Sequence, residues 1–397
     1  KNNCLPVVKY VSAKNKKKNS NIKIEKNQWL KNYLEATKIK DIDLIVELIG
    51  GAEGPAKKLV FNALKNKKHV VTANKALIAK YGDQLAKIAE KNKVNLEFEA
   101  SVCGGVPIIR SLKESLIANK ISKIYGIFNG TSNFILSTMD KQNKSFDEVL
   151  FTAKKLGYAE ANPIADLNGD DVSSKLKILS SLCFNSFLNN NIYVEGIRNI
   201  DKIDIDNANK LGYKIKLLGF AEFHNNKIYQ RVHPTLIKKD SYVASIDGVL
   251  NAVIIDGKPV GQSIIQGEGA GAAATTSALV SDISSILRGN IKFPFSLSSK
   301  ERKKLTFENI DERFFSAYLR FEVIDKFGVL SNITKIFTNN KVSIKRLVQT
   351  PDKNKKSSSI VIITHKSKDK FLKKVLREVS KKNFIKYKSK LIRIDDN

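Results

Sequence analysis

Short apolar runs alternate with longer amphipathic stretches along the N-terminal quarter of the chain. The runs are rich in β-branched residues and end at polar turns, which is typical of buried parallel strands. The stretches between them place apolar residues at helical spacing, as Leu59, Val60, Ala63 and Leu64 do. This order predicts an α/β fold with a doubly wound parallel sheet, in which ligands bind beyond the carboxyl ends of the strands. The predicted strands are "LPVVKYVSA" (5–13), "DIDLIVELIGG" (41–51), "HVVTA" (69–73) and "VNLEFEASV" (94–102).

The pattern changes further along the chain. Runs such as "KIYQRVHPTLI", "YVASIDG" and "NAVIIDG" predict antiparallel strands in an α+β domain that covers a site or pairs subunits. A glycine loop then enters a helix of small residues, "QGEGAGAAATTSALVSDISSIL". After a polar, lysine-rich linker, the order strand, helix, strand, strand, helix, strand predicts a βαββαβ unit. The predicted domains are residues 1–103 with a returning segment 263–290, residues 104–262, the linker 291–313 and residues 314–397.

Composition narrows the possible functions. The net charge of +30 comes almost entirely from lysines spread along the chain, without the basic runs interleaved with aromatic residues that nucleic-acid binding favours. Lysine, asparagine and isoleucine share A/T-rich codons, so compositional bias accounts for the charge and we expect no nucleic-acid partner. A nucleic-acid-binding surface is the alternative. No apolar run approaches the roughly 18 residues of a membrane span. The three cysteines form no CxxC pair, which fits a reducing cytoplasm rather than a disulfide framework.

One segment concentrates acidic residues in this basic chain: "GYAEANPIADLNGDDVSSKLKIL", residues 157–179. Pro163 and Gly169 break regular structure, so a loop is predicted first, then a helix that begins near Gly169 or Asp170. Asp171 and Lys175 are four residues apart on that helix and share a face. A lysine at a buried edge beside acids can transfer protons, and the acids can bind a cationic amino group. The alternative is a capping cluster with a solvated ion pair.

Five motifs and the C-terminal region resemble known families. "GYAEANPIADLNGDDVSSKL" is similar to the signature segment of homoserine dehydrogenases. The motifs "ELIGG", "HVVTANKALIA", "FEASVCGGVPII" and "NGTSNFIL" also resemble that family, in its order and with its spacing. "VIDKFGVLSNITKIF" resembles an ACT domain. The resemblance spans residues 5–397 and implies a Rossmann-like nucleotide-binding domain, a substrate-binding and dimerisation domain, and a C-terminal ACT domain.

The resemblance implies NAD(P)H-dependent reduction of L-aspartate 4-semialdehyde to L-homoserine, on the route to threonine, methionine and isoleucine. Carried onto matching positions, Lys175 is the proton donor, and Lys75 lies beside the nicotinamide and the reacting oxygen. Glu160 and Asp171 hold the amino and hydroxyl groups of the substrate, and Asp166 supports them. A non-catalytic amino-acid-binding regulator is the alternative function, because the phosphate-binding glycine loop is missing from the chain.

The resemblance also implies two cofactors: NADP or NAD, and a monovalent cation such as Na⁺. The chain starts without the strand and GxGxxG loop that cradle a pyrophosphate, so we expect an incomplete Rossmann-like sheet and little or no activity from the chain as given. A lysine cluster, Lys14 and Lys16 to Lys18, favours NADP over NAD, with a solvated turn as the alternative. The implied cofactor-binding residues are Lys75, Gly157, Gly269, Gly50 and Gly51, and the implied cation ligands are Glu99 and the carbonyls of Val102, Gly104 and Val106.

A strand-to-helix turn in the predicted ACT domain is a candidate effector site. Asp325, Gly328 and Asn332 lie on or beside it, and Gly328 would permit close approach of a ligand. The resemblance implies L-threonine as the effector, because threonine is an end product of the implied pathway. It also implies a homodimer or homotetramer, since ACT sites form between paired domains. The alternative is a plain turn in a domain that only pairs subunits.

Overall fold

The computed structural model describes residues 5–15, 24–352 and 357–395. The first domain contains β1 (Leu44–Glu47), α1 (Pro55–Lys65), β2 (His69–Thr72), α2 (Lys75–Asn92) and β3 (Leu96–Glu97), followed by a 3₁₀ turn at Glu99–Ser101. The strands pair in parallel in the order β1-β2-β3, which confirms the predicted parallel sheet. Pro55 suits the start of α1, because its fixed φ is already helical. The helices bury their apolar faces against the sheet, and the carboxyl ends of the strands share one edge.

The predicted first strand, residues 5–13, is wrong. Leu5 is 85% exposed, Val7 83% and Val8 70%, and the backbone of Val11 makes only an isolated bridge to Trp29. An apolar run becomes a buried strand only where a sheet edge accepts its hydrogen bonds and a layer covers its side chains. Neither meets this run within the described residues. Of the lysine cluster, Lys16 to Lys18 lie outside the described residues.

The central domain is built on long antiparallel strands. Most strand predictions hold, but "YVASIDG" forms a helical turn, and the strand at 213–224 was not predicted. The strand order is β7-β6-β4-β8-β9. The elements are α3 (Ile108–Arg110) with a π-turn at Ser111–Ser115, β4 (Lys120–Ile127), α4 (Gly130–Gln142), α5 (Phe146–Lys155), α6 (Ile164–Asn168), α7 (Asp170–Cys183), β5 (Tyr193–Val194), α8 (Lys202–Lys210), β6 (Tyr213–His224), β7 (Lys227–Lys238), α9 (Tyr242–Ser245), β8 (Leu250–Lys258) and β9 (Gly261–Glu268).

The chain returns to the first domain after β9, through a loop and the small-residue helix α10 (Ala272–Leu287). Backbone contacts hold this return against the turn after β3. The amide of Gly105 donates to the carbonyl of Glu268 at 2.9 Å, and a Cβ on Gly104 would lie only 2.9 Å from the carbonyl oxygen of Gly269. Glycines are required here because the two backbones touch.

The C-terminal domain has the predicted βαββαβ order and forms one sheet with the central domain. Its strands run in the order β12-β13-β11-β15, and β15 pairs in parallel with β7 through Arg393 opposite Thr235 and Ile394 opposite Leu236. The sheet therefore passes from one domain into the other without a break. The elements are β10 (Thr306–Phe307), a 3₁₀ turn at Ile310–Glu312, β11 (Phe314–Ile324), α11 (Val329–Asn339), β12 (Ile344–Asp352), β13 (Ser357–Thr364), β14 (Ser367–Lys368), α12 (Asp369–Ser380) and β15 (Lys390–Ile394).

The segment predicted as a linker, residues 291–313, packs against the folded domains: its first part contacts the first domain, and Thr306 and Phe307 pair with β7 of the central domain. Phe295 is fully buried with its ring centroid 5.3 Å from that of Phe98. Arg302 pairs with Asp83 of α2 at 2.7 Å. Polar composition suggested a solvated connection, but a few anchoring side chains decide its packing. None of the helices in the described residues combines the length and apolar character needed to cross a membrane.

The buried anchor in this segment makes a measurable prediction. Phe295→Ala should lower the free energy of unfolding by about 3–5 kcal/mol, the usual cost of emptying a buried phenylalanine site. Phe293→Ala is the matched control, because Phe293 is 46% exposed, and it should change stability by less than about 0.5 kcal/mol. Urea denaturation followed by circular dichroism measures both. Equal, small effects would mean that the segment is a solvated linker after all.

Candidate active site

Asp171 is buried at the start of α7, and each of its oxygens binds a lysine. Its Oδ2 lies 2.8 Å from Nζ of Lys175, one turn along the helix, and its Oδ1 lies 2.9 Å from Nζ of Lys75, the first residue of α2. The predicted i,i+4 contact is therefore present, and the second contact joins two domains. Asp171 is 5% exposed and Lys175 8%, so the alternative of a solvated pair is wrong.

Two helix starts place these groups. Gly169 adopts φ +87° as the N-cap of α7, the predicted start, and puts Asp171 in the first turn, where the helix dipole favours a carboxylate. The side chain of Asn74 caps α2 by accepting the amide of Leu77 at 3.0 Å, which sets the direction of Lys75. Asp166 lies on the short helix α6 rather than on the predicted loop.

Asn129, which the sequence indicated only as a turn residue, connects the two aspartates. Its Nδ2 donates to Asp166 Oδ1 at 2.7 Å and to Asp171 Oδ2 at 2.9 Å, while its Oδ1 caps α4. The carbonyl of Phe128 accepts from Nζ of Lys175 at 2.6 Å. A buried amide with two acidic acceptors orients both of them. The sequence motif "NGTSNFIL" could have indicated Asn129 as a helix N-cap. It could not have indicated the two aspartates to which the Asn129 amide donates.

Charge compensation sets the protonation states of this cluster. Burial disfavours the charge of Lys175, but the Asp171 carboxylate outweighs it and raises the pKa of Lys175. Burial likewise opposes the charge of Asp171, yet the two lysines hold its pKa well below the ordinary value. Burial, and then the neighbouring charge of Asp171, raise the pKa of Asp166. At neutral pH the site therefore holds a protonated lysine against an ionised aspartate.

Glu160 lies apart from this cluster. It is exposed on the loop before α6 and makes no hydrogen bond or ion pair with the other described residues. Gly157, three residues earlier, has φ +77°, and a Cβ added there would meet nothing within 4 Å. The loop that carries both residues thus leaves room on the open side of the site.

The carboxyl ends of β1 and β2 form the candidate nucleotide-binding edge. Glu47, which the sequence analysis missed, is fully buried and accepts from the amide of Gly50 at 3.0 Å and from the hydroxyl of Thr72 at 2.6 Å. Gly50 and Gly51 both have positive φ and are exposed, and nothing occupies the Cβ position of Gly50 within 4 Å. This open backbone surface suits close approach of a dinucleotide. Gly269 differs, because a Cβ there would meet the side chain of Asn251 at 2.2 Å, so packing within the protein already requires that glycine.

Glu99 closes the turn after β3. Its carboxylate accepts from the amides of Ile109 at 2.9 Å and Arg110 at 2.7 Å, and its own amide donates to Asp282 of α10 at 2.9 Å. Burial raises the pKa of Glu99 to about 7 and that of Asp282 to about 6. The tight turn that follows bonds the amide of Val106 to the carbonyl of Cys103 at 2.7 Å.

The predicted effector turn lies at the surface of the C-terminal domain. Gly328 has φ +81° as the N-cap of α11, and its carbonyl accepts from Nδ2 of Asn332 at 2.8 Å. Asp325 is exposed on the same turn. Phe327 between them is fully exposed. The structure thus brings the three predicted residues onto one open turn.

Comparison with known proteins assigns a family to each part of the chain. Residues 5–99 match the model of the homoserine dehydrogenase NAD binding domain, residues 107–284 that of homoserine dehydrogenase, and residues 317–383 that of the ACT domain. The chain is 40% identical over 374 residues to a homoserine dehydrogenase from Neisseria gonorrhoeae, covering 92% of this chain and 86% of that protein. It is 37% identical to one from Helicobacter pylori, covering 98% and 91%.

Solved structures agree with this assignment. A homoserine dehydrogenase from Thiobacillus denitrificans has a TM-score of 0.87 and 38% identity, covering 94% of this chain and 86% of that chain. A hyperthermophilic archaeal homoserine dehydrogenase in complex with NADPH has a TM-score of 0.58 and 28% identity, covering 66% and 76%.

The depressed pKa of Asp171 makes stability depend on pH. Asp171→Asn should lower the free energy of unfolding by about 3–5 kcal/mol at pH 7, because it leaves a buried lysine charge uncompensated. A lowered folded-state pKa contributes stability above the ordinary aspartate value of about 3.9, and this contribution is lost as the pH falls below it. The gap between wild type and variant should therefore begin to narrow below about pH 4 in urea titrations and shrink further as the pH falls toward the lowered folded-state pKa. Asp170→Asn, at the exposed neighbouring position, is the control. A gap that stays constant down to pH 3 would contradict this account.

Proposed function

The chain belongs to the homoserine dehydrogenase family of NAD(P)-dependent oxidoreductases, and from that premise we propose how its residues share the reduction of L-aspartate 4-semialdehyde to L-homoserine. The proposal depends on one observation: a buried Asp171 binds Lys75 of one domain and Lys175 of its own helix, at 2.9 and 2.8 Å. A purely regulatory protein has no use for such a costly buried lysine. The observation therefore favours the enzyme over the regulator.

Lys175 is the proton donor. Its ammonium is protonated at neutral pH because Asp171 raises its pKa, and Asp171 with the Phe128 carbonyl aims it. Bound NAD(P)H would supply a hydride to the aldehyde carbon. The oxygen then gains a proton from Lys175, since an alkoxide is a stronger base than a lysine amine. Lys75, 42% exposed at its side chain, is the group placed to face both the nicotinamide and the reacting oxygen.

Carboxylates hold the substrate. Asp171 accepts a hydrogen bond from the hydroxyl group that forms. Glu160, exposed on its loop, accepts a hydrogen bond from the substrate's amino group when that loop covers the ligand. Asp166 does not contact the substrate itself. It orients the Asn129 amide, which also donates to Asp171. The dinucleotide lies along Gly50, Gly51 and Gly157, where open Cβ positions leave space for it, whereas Gly269 supports the adjoining turn.

We assign a monovalent cation to the turn after β3. Both carboxylate oxygens of Glu99 accept backbone amides and keep further lone pairs for a cation. The carbonyls of Val102, Gly104 and Val106 complete the ligand set, since oxygen ligands suit hard cations. Among the carbonyls, those of Val102 and Gly104 are the more available cation ligands, because that of Val106 accepts a hydrogen bond from the amide of Ile108 at 2.7 Å. Such a cation would fasten the turn beside the nucleotide edge.

These kinetic predictions apply to an enzyme in which the family's strand, glycine loop and helix are fused ahead of residue 1. In that fused enzyme, Lys175→Ala should lower kcat by roughly 10²–10⁴-fold, the usual loss for a missing general acid. Glu160→Ala should act mainly on KM for the semialdehyde, because it removes a ground-state contact. Lys177→Ala, on the same helix but bonded to Asn190, is the control and should leave both parameters near those of the unsubstituted fused enzyme. The assay follows NADPH absorbance at saturating NADPH and varied semialdehyde concentration. A near-normal kcat for Lys175→Ala would assign the proton to Lys75 or to water.

We further propose that L-threonine binds the turn of Asp325, Gly328 and Asn332, in an assembly of paired subunits. The exposed amides at the start of α11 can receive its carboxylate, and Asp325 its amino group. Pairing of two C-terminal domains in a dimer or tetramer would complete the site, and the exposed Phe327 fits such a contact.

Gly328→Asp in the full chain should weaken threonine binding, measured by calorimetry, because a carboxylate would repel the carboxylate of the ligand. Gly289→Asp is the matched control, since Gly289 caps α10 with nearly the same φ, +80° against +81°, and also has an open Cβ position. Equal heats from both variants would exclude this turn as the site. Heat with another amino acid only would change the effector, and no heat with any amino acid would leave the domain a structural clasp.

A further inference from the structure

One arginine outside the site reaches from the C-terminal domain to two side chains of the central domain. Arg393 of β15 is 2% exposed, and its Nη1 donates to Glu195 Oε2 at 3.0 Å. Its Nη2 donates to the hydroxyl of Tyr193 at 3.2 Å, and that hydroxyl donates to the same Glu195 oxygen at 3.1 Å. One carboxylate oxygen thus receives two donors, one from each domain.

Arg393 is held rigidly by its own domain. Asp369, fully buried at the start of α12, accepts from Nε of Arg393 at 2.7 Å and from Nη2 at 3.1 Å. Such a bidentate pair keeps the guanidinium in one orientation. Lys373 pairs with the same Asp369 at 2.8 Å, so Glu195 supplies a second negative charge to Arg393. The rigid guanidinium in turn holds Glu195 and the segment on which it lies.

That segment presses directly on the helix that carries Asp166. The amide of Ile197 donates to the carbonyl of Leu167 in α6 at 2.8 Å, and a Cβ on Gly196 would lie 2.1 Å from the same oxygen. On the other side, the amide of Glu195 donates to the carbonyl of Val232 in β7 at 2.8 Å. The backbone of residues 195–197 therefore lies between the shared sheet and α6 and is hydrogen-bonded to both.

The consequence reaches the site through Asn129. Asp166 precedes Leu167 by one residue, and its Oδ1 accepts from the Asn129 amide that also donates to Asp171. A shift of α6 would lengthen the first of these bonds and release the amide from its orientation. We propose that Glu195 and Arg393 are positioning residues, which hold α6 and so set Asp166 for substrate binding. This inference rests on the proposed function, because it assigns its effect to the substrate-holding carboxylates.

Glu195→Gln keeps the shape of the side chain and weakens the charge-assisted bond to Arg393. It should raise both KM for the semialdehyde and the Kd for L-homoserine by about two- to thirtyfold, the span measured for residues that couple separate sites. KM for NADPH should not change. Glu222→Gln is the control, since Glu222 of β6 also pairs with an arginine, Arg313, and its side chain is 29% exposed against 36% for Glu195. It should keep wild-type substrate affinity.

A double-mutant cycle tests the route. If Glu195 acts through Asp166, its substitution should have no further effect on substrate affinity in an Asp166→Asn background. Additive effects, or equal substrate affinities for Glu195→Gln and Glu222→Gln, would overturn the positioning role while leaving the proposed function intact. If the fused enzyme without substitutions neither bound L-homoserine nor reduced the semialdehyde, both would be overturned.

Discussion

The site depends on one electrostatic requirement: the buried charge of Asp171 must be compensated. A lone carboxylate at 5% exposure would take up a proton rather than stay charged. Two ammonium groups prevent this, and they come from different elements, Lys175 from α7 and Lys75 from α2. The ion pair that sets the protonation of the site therefore also sets the distance between the nucleotide-binding and central domains. Asn129 adds a neutral hydrogen-bond donor and links Asp171 to Asp166.

A continuous sheet joins the C-terminal domain to the central domain that carries the site. β15 adds directly to β7, and buried ion pairs reinforce the junction, as between Arg320 and Asp204 at 2.7 Å. Packed sheets and helices resist continuous deformation and shift between discrete arrangements. Ligand binding at a C-terminal turn can therefore influence distant carboxylates only if it favours one arrangement of this junction.

Close backbone contacts fasten the nucleotide-binding edge. The Gly104 and Gly269 turns touch, α10 lies across β2 and the turn after β3, and Asp282 holds the amide of Glu99. Burying the carboxylates in these contacts costs free energy, and the hydrogen bonds that offset this cost form only in the folded chain. They explain why residues remote in sequence, such as Gly104 and Gly269 or Glu99 and Asp282, pack against each other.

The sequence by itself determined the parallel sheet of the first domain, the βαββαβ order of the last, and the helical spacing of Asp171 and Lys175, because periodicity and capping are local properties. It also carried the family motifs, since they are contiguous. Only the tertiary structure decided that residues 5–13 join no sheet, that Phe295 and Arg302 anchor the predicted linker, and that Asn129, Glu47 and Asp282 support the site. Strand pairing and charge compensation depend on residues far apart in the sequence, and no local pattern specifies which strands or charges will pair. The contact between Lys75 and Asp171 crosses 96 positions (171 − 75 = 96), and folding alone brings it to 2.9 Å.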